Sequence, residues 1–329
     1  VRDRLKVYSE RGYVDHASWG AIYEWEDVWA RTWGTEVIPL PNTLHVKLRR
    51  HIRQYIHRFL PHKVWKYSLS PDDRDLGVLI IMDAEGYYMI EMRDIIPIYL
   101  DFSMDMVDTI IRATVDLPAF FVASVDIYDA MIDRGCKNVK YIAQCVPDMY
   151  YSDDIPDKDI DVIQIGRRNE VLHGFMMRYC DVHPDIEYIY RLNDGSYDYI
   201  STTRGNIGPL PGREEFVDMI RRARVSLVSS PKCDGCRDVF GGADLITARF
   251  YESAGFYCHM IGRYTENKEA KGLNLESVCP NVKSYEEFES LLTGYLAADP
   301  DVYDWTVMRT FVRDNLASTR AGQIMEALQ

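Results

Sequence analysis

Short apolar runs alternate with stretches of helical spacing along most of the chain. Residues 77–83 (GVLIIMD) and 118–124 (PAFFVAS) are continuous apolar runs bounded by breakers, the pattern of strands buried on both faces. A helix over 126–134 follows the second run, with Gly135 placed to stop it, and residues 138–147 return as a strand. Strand, helix and strand with short connections is the rhythm of a parallel sheet. It breaks at YYSDDIPDKDIDVIQIG, where Asp153, Asp154, Asp157 and Asp159 surround Pro156 in the best linker of the chain. It then restarts, with strands predicted at 161–166, 187–192, 224–230 and 257–262 and helices at 169–179, 214–222, 247–254 and 285–296. The tail, 305–328, reads as helical. The expected fold is α/β, two Rossmann-like domains facing a cleft, with an N-terminal domain over 1–152 and a C-terminal domain over 153–329 whose last helix crosses back. Ligands of open α/β sheets bind at the carboxyl ends of strands, and inter-domain clefts are favoured small-molecule sites.

Composition narrows the function classes. The 329 residues are 47% apolar and 27% charged, a globular balance rather than a disordered or fibrous one. No apolar run approaches the ~20 residues of a membrane span. The opening residues, VRDRLKVYSERG, are charged and lack the apolar stretch of a secretory signal. The seven scattered cysteines read as reduced thiols, which points to the cytoplasm. A net charge of −13 argues against nucleic acid as a partner, because that affinity comes from Lys and Arg neutralising phosphates.

The charge is uneven. Residues 37–71 hold no acid and seven basic residues: Lys47, Arg49, Arg50, Arg53, Arg58, Lys63 and Lys66. Within this window Leu44, Leu48, Ile52, Ile56 and Leu60 recur at helical spacing between Pro41 and Pro61. Residues 44–66 could therefore rest on an anionic membrane, placing the protein at the inner face; the alternative is a solvated helix paired with the protein's own acids.

Three segments carry candidate chemistry. Gly166, Arg167, Arg168 and Asn169 follow a predicted strand and open a predicted helix, with Asn169 as N-cap. Free N–H groups and two guanidiniums there suit a phosphate. Gly205, Ile207, Gly208, Pro209, Pro211 and Gly212 lie in a predicted loop that can bring backbone groups to a planar base. Asp244, Thr247, Arg249 and Glu252 surround a third helix start, where Thr247 and Arg249 could face phosphate and Glu252 a ribose diol.

In this order the pieces DVIQIGRRNEVLH, GPLPGREEFVDMIRRARVSLVSSP and ITARFYESAGFYCHMIG resemble the nucleotide-sugar half of GT-B glycosyltransferases. The likeness is to bacterial group 1 enzymes, including the spore-maturation-protein-like branch, and covers about residues 118–329. In that family a Glu followed by small residues and Gly binds the donor ribose, and Glu252, Ser253, Ala254 and Gly255 match it. The family's first Glu stands here as Asp244, and its diphosphate-binding Arg–Lys pair has no clear counterpart: Arg167 or Arg168 could supply the Arg, Arg204 or Arg249 the Lys.

The resemblance implies transfer of a sugar from a nucleotide-diphosphate donor, as co-substrate, to a hydroxyl of a glycan or lipid-linked acceptor. It implies no separate cofactor and no bound metal, because arginines and a helix start stabilise the leaving diphosphate. An inverting enzyme would need a base from the N-terminal half, and Asp15 and His16 follow the first predicted strand. A retaining enzyme would not, and the stereochemistry stays open. The Cys233-x2-Cys236 pair is read as a loop with free thiols in preference to half of a zinc site. The competing readings of the whole chain are a non-catalytic GT-B-like partner that binds a nucleotide or sugar, and an enzyme of the same fold whose chemistry is epimerisation or phosphodiester transfer.

Overall fold

The computed structural model describes residues 5–12, 17–40, 52, 76–81, 95–101, 103–193, 196–235 and 241–329. Asp15, His16, the basic segment 44–66 apart from Ile52, and Cys236 lie outside the described residues.

Two six-stranded sheets form the framework. The first is built from β1 (Leu5–Ser9), β2 (Val37–Pro39), β3 (Leu76–Ile81), β4 (Ile95–Tyr99), β5 (Phe120–Val122) and β6 (Val139–Tyr141). Its order is β2-β1-β3-β4-β5-β6 and every pairing is parallel. Helices α1 (Gly20–Trp33), α2 (Val107–Thr114) and α3 (Val125–Asp133) accompany it. The second sheet holds β7 (Ile160–Gln164), β8 (Tyr188–Arg191), β9 (Asp198–Ser201), β10 (Gly205–Pro209), β11 (Ala223–Ser229) and β12 (His259–Arg263). Its order is β10-β9-β8-β7-β11-β12, parallel in the centre with an antiparallel hairpin, β9–β10, at one edge. Around it lie α4 (Glu170–Val182), α5 (Arg213–Arg222), α6 (Ala248–Gly255), α7 (Lys268–Gly272), α8 (Tyr285–Ala297), α9 (Thr306–Asp314) and α10 (Ala317–Ala327).

The central strands match the sequence reading because both faces of each are covered, leaving runs such as Val78–Ile81 almost without exposure. Three readings need correction. The segment expected as a strand from Asn138 to Pro147 pairs only over Val139–Tyr141; beyond it the chain crosses between the lobes. The expected loop at Gly205–Gly212 begins as the edge strand β10, whose left-handed Gly205 and Gly208 and the bulge beside Gly208 disguised it. The helical tail is two helices, broken at Asn315 and Leu316. The sequence reading also missed β4, whose Pro97 argues against an interior strand, yet it pairs with Leu79 of β3 between two neighbours.

The last helix returns to the first lobe. Trp29 Nε1 donates to Ala317 O at 2.9 Å and Trp33 Nε1 to Ala321 O at 3.3 Å, so two buried indoles of α1 have both an apolar packing site and an acceptor on α10. Val146 and Leu316 form an isolated bridge beside this junction. Among the described residues no helix is long and apolar enough to cross a membrane.

The end of β1 is tied to α1 by a buried carboxyl. Ser9 Oγ donates to Glu26 Oε2 at 2.5 Å and the Arg11 guanidinium approaches the same oxygen at 3.2 Å. Burial pushes Glu26 up to about 8, against the opposing pull of Ser9 and Arg11. The folded protein thus holds a proton that the unfolded chain has released over the range from about 4.5 to 8, and the stability Glu26 contributes falls as pH rises through that window. Urea midpoints at pH 5 and pH 8 should show wild type losing more stability than Glu26→Gln over that interval; parallel losses would contradict the assignment.

Candidate functional site

The second sheet reverses its winding between β7 and β11, since β8 lies on one side of β7 and β11 on the other. Such a switch point opens a crevice beyond the carboxyl ends of the two strands. A cavity of about 850 Å3 occupies that place, between the two lobes. Ile165 and Gly166 after β7 and Val228 and Ser229 at the end of β11 line it. From the first lobe come Trp19, Ile22 and Trp25 around the start of α1, with Leu100 and Asp101 after β4. A larger cavity, about 1000 Å3, lies beside it and away from the switch point. The smaller one is the better candidate, because Arg167, Arg249 and the open helix ends described next gather there.

Gly166 makes the turn out of β7 at φ +86°, and its N–H donates to Tyr199 Oη at 3.3 Å. A side chain there would be strained by the backbone angle and would touch Arg249. Arg167 follows on the cavity wall, and its guanidinium has no hydrogen-bond or ion-pair partner among the described residues. Arg168 turns away: it donates to Leu192 O at 2.6 Å and pairs with Glu170 at 2.8 Å, anchoring the end of β8. Asn169 is the N-cap the sequence suggested, accepting from Leu172 N at 2.9 Å. Its amide also donates to Asp234, which two bonds of 2.6 Å tie to Arg263. The Cys233–Gly235 turn therefore serves to place Asp234, and burial pushes the Cys233 thiol up to about 11, so it stays protonated at neutral pH.

Two helix starts face the same space. Gly212 precedes α5 and Thr247 precedes α6; both line the cavity, and neither helix has a side-chain N-cap hydrogen bond. Uncapped first-turn N–H groups and the helix dipole favour an anion. Arg191 lines the cavity too, donating to Ser196 O at 2.5 Å with its guanidinium carbon 5.2 Å from the centre of the Tyr197 ring. Tyr197 is 62% exposed and presents a flat face at the rim.

Beneath this surface lies a shared ion network that the sequence did not reveal. Glu252, expected to meet a ribose, is fully buried. Arg213 reaches it at 2.6 Å from the start of α5, and Arg249 pairs with it from the preceding turn of α6. Arg213 also makes a two-pronged pair with Glu24 of α1, at 2.7 and 3.0 Å, and Tyr150 Oη donates to the same carboxylate at 2.7 Å. The network thus spans both lobes. Burial lowers the Arg213 pKa, but Glu252 and Glu24 outweigh that and hold its charge firmly. Burial also lowers Arg249, whose guanidinium stands 4.4 Å from the Phe216 ring centre and lines the cavity. Gly20 and Gly255 permit the close approach: an added Cβ at Gly20 would collide with the Arg213 side chain, and one at Gly255 would lie 2.9 Å from Val146.

No family model and no curated protein matches the chain. Solved structures similar to it include a glycosyltransferase from Rickettsia africae ESF-5, at 9% identity and TM-score 0.48, covering 99% of this chain and 97% of that one. A UDP-GlcNAc 2-epimerase from Neisseria meningitidis, bound to UDP-GlcNAc, is similar at 10% identity and TM-score 0.47 over 98% of each chain. What the cleft can do follows from its own residues.

Of the residues singled out in the sequence, the structure brings Gly166, Arg167, Thr247 and Arg249 together on one wall. It removes Arg204, which sits at the β9–β10 turn, at the end of the sheet opposite the cavity, and pairs with Glu187 at 2.6 Å. Ile207 packs against the core, and Gly208 lies in the β10 bulge whose N–H is held by Asn206 at 2.7 Å; the residues after them, Pro209–Gly212, form the wall instead. Asp244 is also structural, accepting from Ser230 Oγ at 2.6 Å while its backbone joins Ser124 and Asp126 of the first lobe. Arg213, Glu24 and Tyr150 had no sequence signal: Arg213 opens an acidic helix turn that reads as solvated, and Glu24 is 189 positions away.

Removing Arg213 should leave Glu252 and Glu24 without their shared cation. Arg213→Ala is expected to cost about 3–5 kcal/mol, the range for breaking a buried ion pair from one side. Glu24→Gln, which keeps a neutral acceptor, should cost less. Urea denaturation reads both, and an Arg213→Ala protein within about 0.5 kcal/mol of wild type, as at an ordinary surface site, would contradict the network.

Proposed function

We propose that the chain is a GT-B-type glycosyltransferase that moves a sugar from a nucleotide-diphosphate donor to a hydroxyl of a glycan or lipid-linked acceptor. The observation that carries this reading is Arg167, which has no hydrogen-bond or ion-pair partner among the described residues, beside the open start of α6 at the switch point of the second sheet. In a protein of net charge −13, a guanidinium at a cleft with no acid partner among the described residues suits an anion. A diphosphate held there would lie between Arg167, the N–H groups of α6 and the Arg249 guanidinium. Those donors would stabilise the charge that develops on the diphosphate as the sugar departs. Tyr197 and Tyr199 offer aromatic surface for the base on the same side.

The acceptor would enter from the first lobe, along Trp19, Ile22 and Trp25. Asp15 and His16 precede that wall in sequence and stay the candidates for a general base. Segment 44–66 remains the proposed contact with an anionic membrane, where lipid-linked acceptors would reside. Glu252 acts in this reading through the guanidiniums it holds, not through a ribose.

One observation favours a second reading. Arg204, a candidate for the diphosphate-binding Lys, is paired with Glu187 away from the cleft, and Asp244 is engaged by Ser230, which suits a partner protein that binds nucleotide sugars without transfer.

Calorimetry with UDP, GDP, CDP and dTDP tests the donor site. Arg167→Ala should weaken the best of them by roughly 1.5–3 kcal/mol, the worth of a hydrogen bond to a charged group. Arg168→Ala, whose side chain is engaged elsewhere, should weaken it much less. Equal effects of the two variants, or no binding of any of the four, would overturn the assignment. Binding without sugar transfer from a panel of nucleotide sugars would select the second reading.

A further inference from the structure

The larger cavity, about 1000 Å3, lies outside the proposed donor cleft and is built from both lobes. A thin partition separates the two spaces: Ala143 lines the larger one and its neighbour Gln144 the smaller. We infer that the larger cavity is a second ligand site, for an uncharged mono- or oligosaccharide, that reports its occupancy to the donor cleft.

The ligand class follows from the lining. Tyr128 and Tyr141 set two rings 6.4 Å apart on the first-lobe side, and Phe311 of α9 lines the same cavity. Such faces accept the C–H surface of a pyranose. Between them stand amides and hydroxyls, Asn274, Thr310 and Gln323, each able to donate and accept, as sugar hydroxyls require. The charged groups on the walls are largely spent. Lys268 pairs with Asp129 at 2.5 Å and Asp314 with Arg313 at 3.4 Å. Arg320, 5% exposed, donates to Ala143 O at 3.1 Å, to Gln144 O at 3.4 Å and to Asn315. Glu269, 3% exposed, accepts from Tyr141 Oη at 3.0 Å and Ile246 N at 3.2 Å, with no basic side chain of the described residues within ion-pair distance. Only Lys140, at the exposed rim, keeps an unpaired charge among the described lining residues. A charged ligand would find little to neutralise it, whereas hydroxyls would find donors and acceptors throughout.

The coupling follows from the partition. Arg320 grips the carbonyls on both sides of it. Glu269 holds the N–H of Ile246, one residue before the Thr247–Arg249 wall of the donor cleft, and Phe311 stacks on Tyr251 of α6 at 5.8 Å. A sugar that draws on Glu269 or leans on Phe311 thereby moves the helix start that faces the diphosphate site. The binding inference stands apart from the donor assignment, because it concerns a different cavity and a neutral ligand.

Saturation-transfer NMR on the full chain with glucose, galactose, mannose, N-acetylglucosamine and maltotriose tests it. At least one of these should receive saturation, and the transfer should vanish in Thr310→Trp and in Gln323→Trp, two exposed wall positions where an indole fills the cavity. Thermal midpoints near that of wild type confirm that the variants fold, and Arg167→Ala should keep the signal. Absence of transfer to all five sugars, or transfer that survives both tryptophan variants, overturns the inference.

Discussion

The arrangement of the two lobes rests on one buried set of charges. Arg213 bridges Glu252 of its own lobe and Glu24 of the other, while Arg249 closes over Glu252 and Tyr150 over Glu24. Taking each such ion out of water costs several kcal/mol, so the group is tolerable only when every member has its partner. Glu24 reaches Arg213 only when α1 lies against the start of α5, and Gly20 removes the side chain that would meet Arg213 there. The charges therefore define a particular closed arrangement of the lobes more than they add net stability.

The functional surface inherits its geometry from that set. Arg249 belongs both to the network and to the cleft wall, and Gly212, next to Arg213, belongs to the wall too. Of the two cations in the proposed anion site, Arg249 is thus positioned by an acid that the anion would not touch. A similar economy holds at the partition, where one arginine of the last helix, Arg320, fixes the crossing segment that both cavities share. Trp29 and Trp33 hold that helix in place from the first lobe.

Some of this was legible along the chain. The strands β3, β7 and β11 stood out because a doubly covered strand must be apolar throughout, and the Asn169 cap because a short polar side chain before a helix has one good use. The turn at Gly166 followed from the strand that precedes it. Edge and irregular elements hid: β10 is rich in glycine, and β4 carries Pro97 within a sheet. Periodicity could not tell that Arg168 faces Leu192 while Arg167 lines the cavity, since neighbours in a turn diverge by small changes of backbone angle. Nor could it see that Glu252 lies beneath two arginines, one of them 39 positions earlier in the chain. Long-range ion pairs leave no local pattern, and that is where the resemblance to a ribose-binding glutamate and the structure part.

The central claim is that the Arg167 guanidinium at the switch point and the open start of α6 form a diphosphate site. The most direct measurement is a crystal structure of the protein grown with a nucleoside diphosphate. The account predicts phosphate oxygens between Arg167 and the first N–H groups of Ala248–Gly255, with Glu252 still enclosed by Arg213 and Arg249. A nucleotide bound elsewhere, or phosphates held by Arg168 or Arg204, would contradict it.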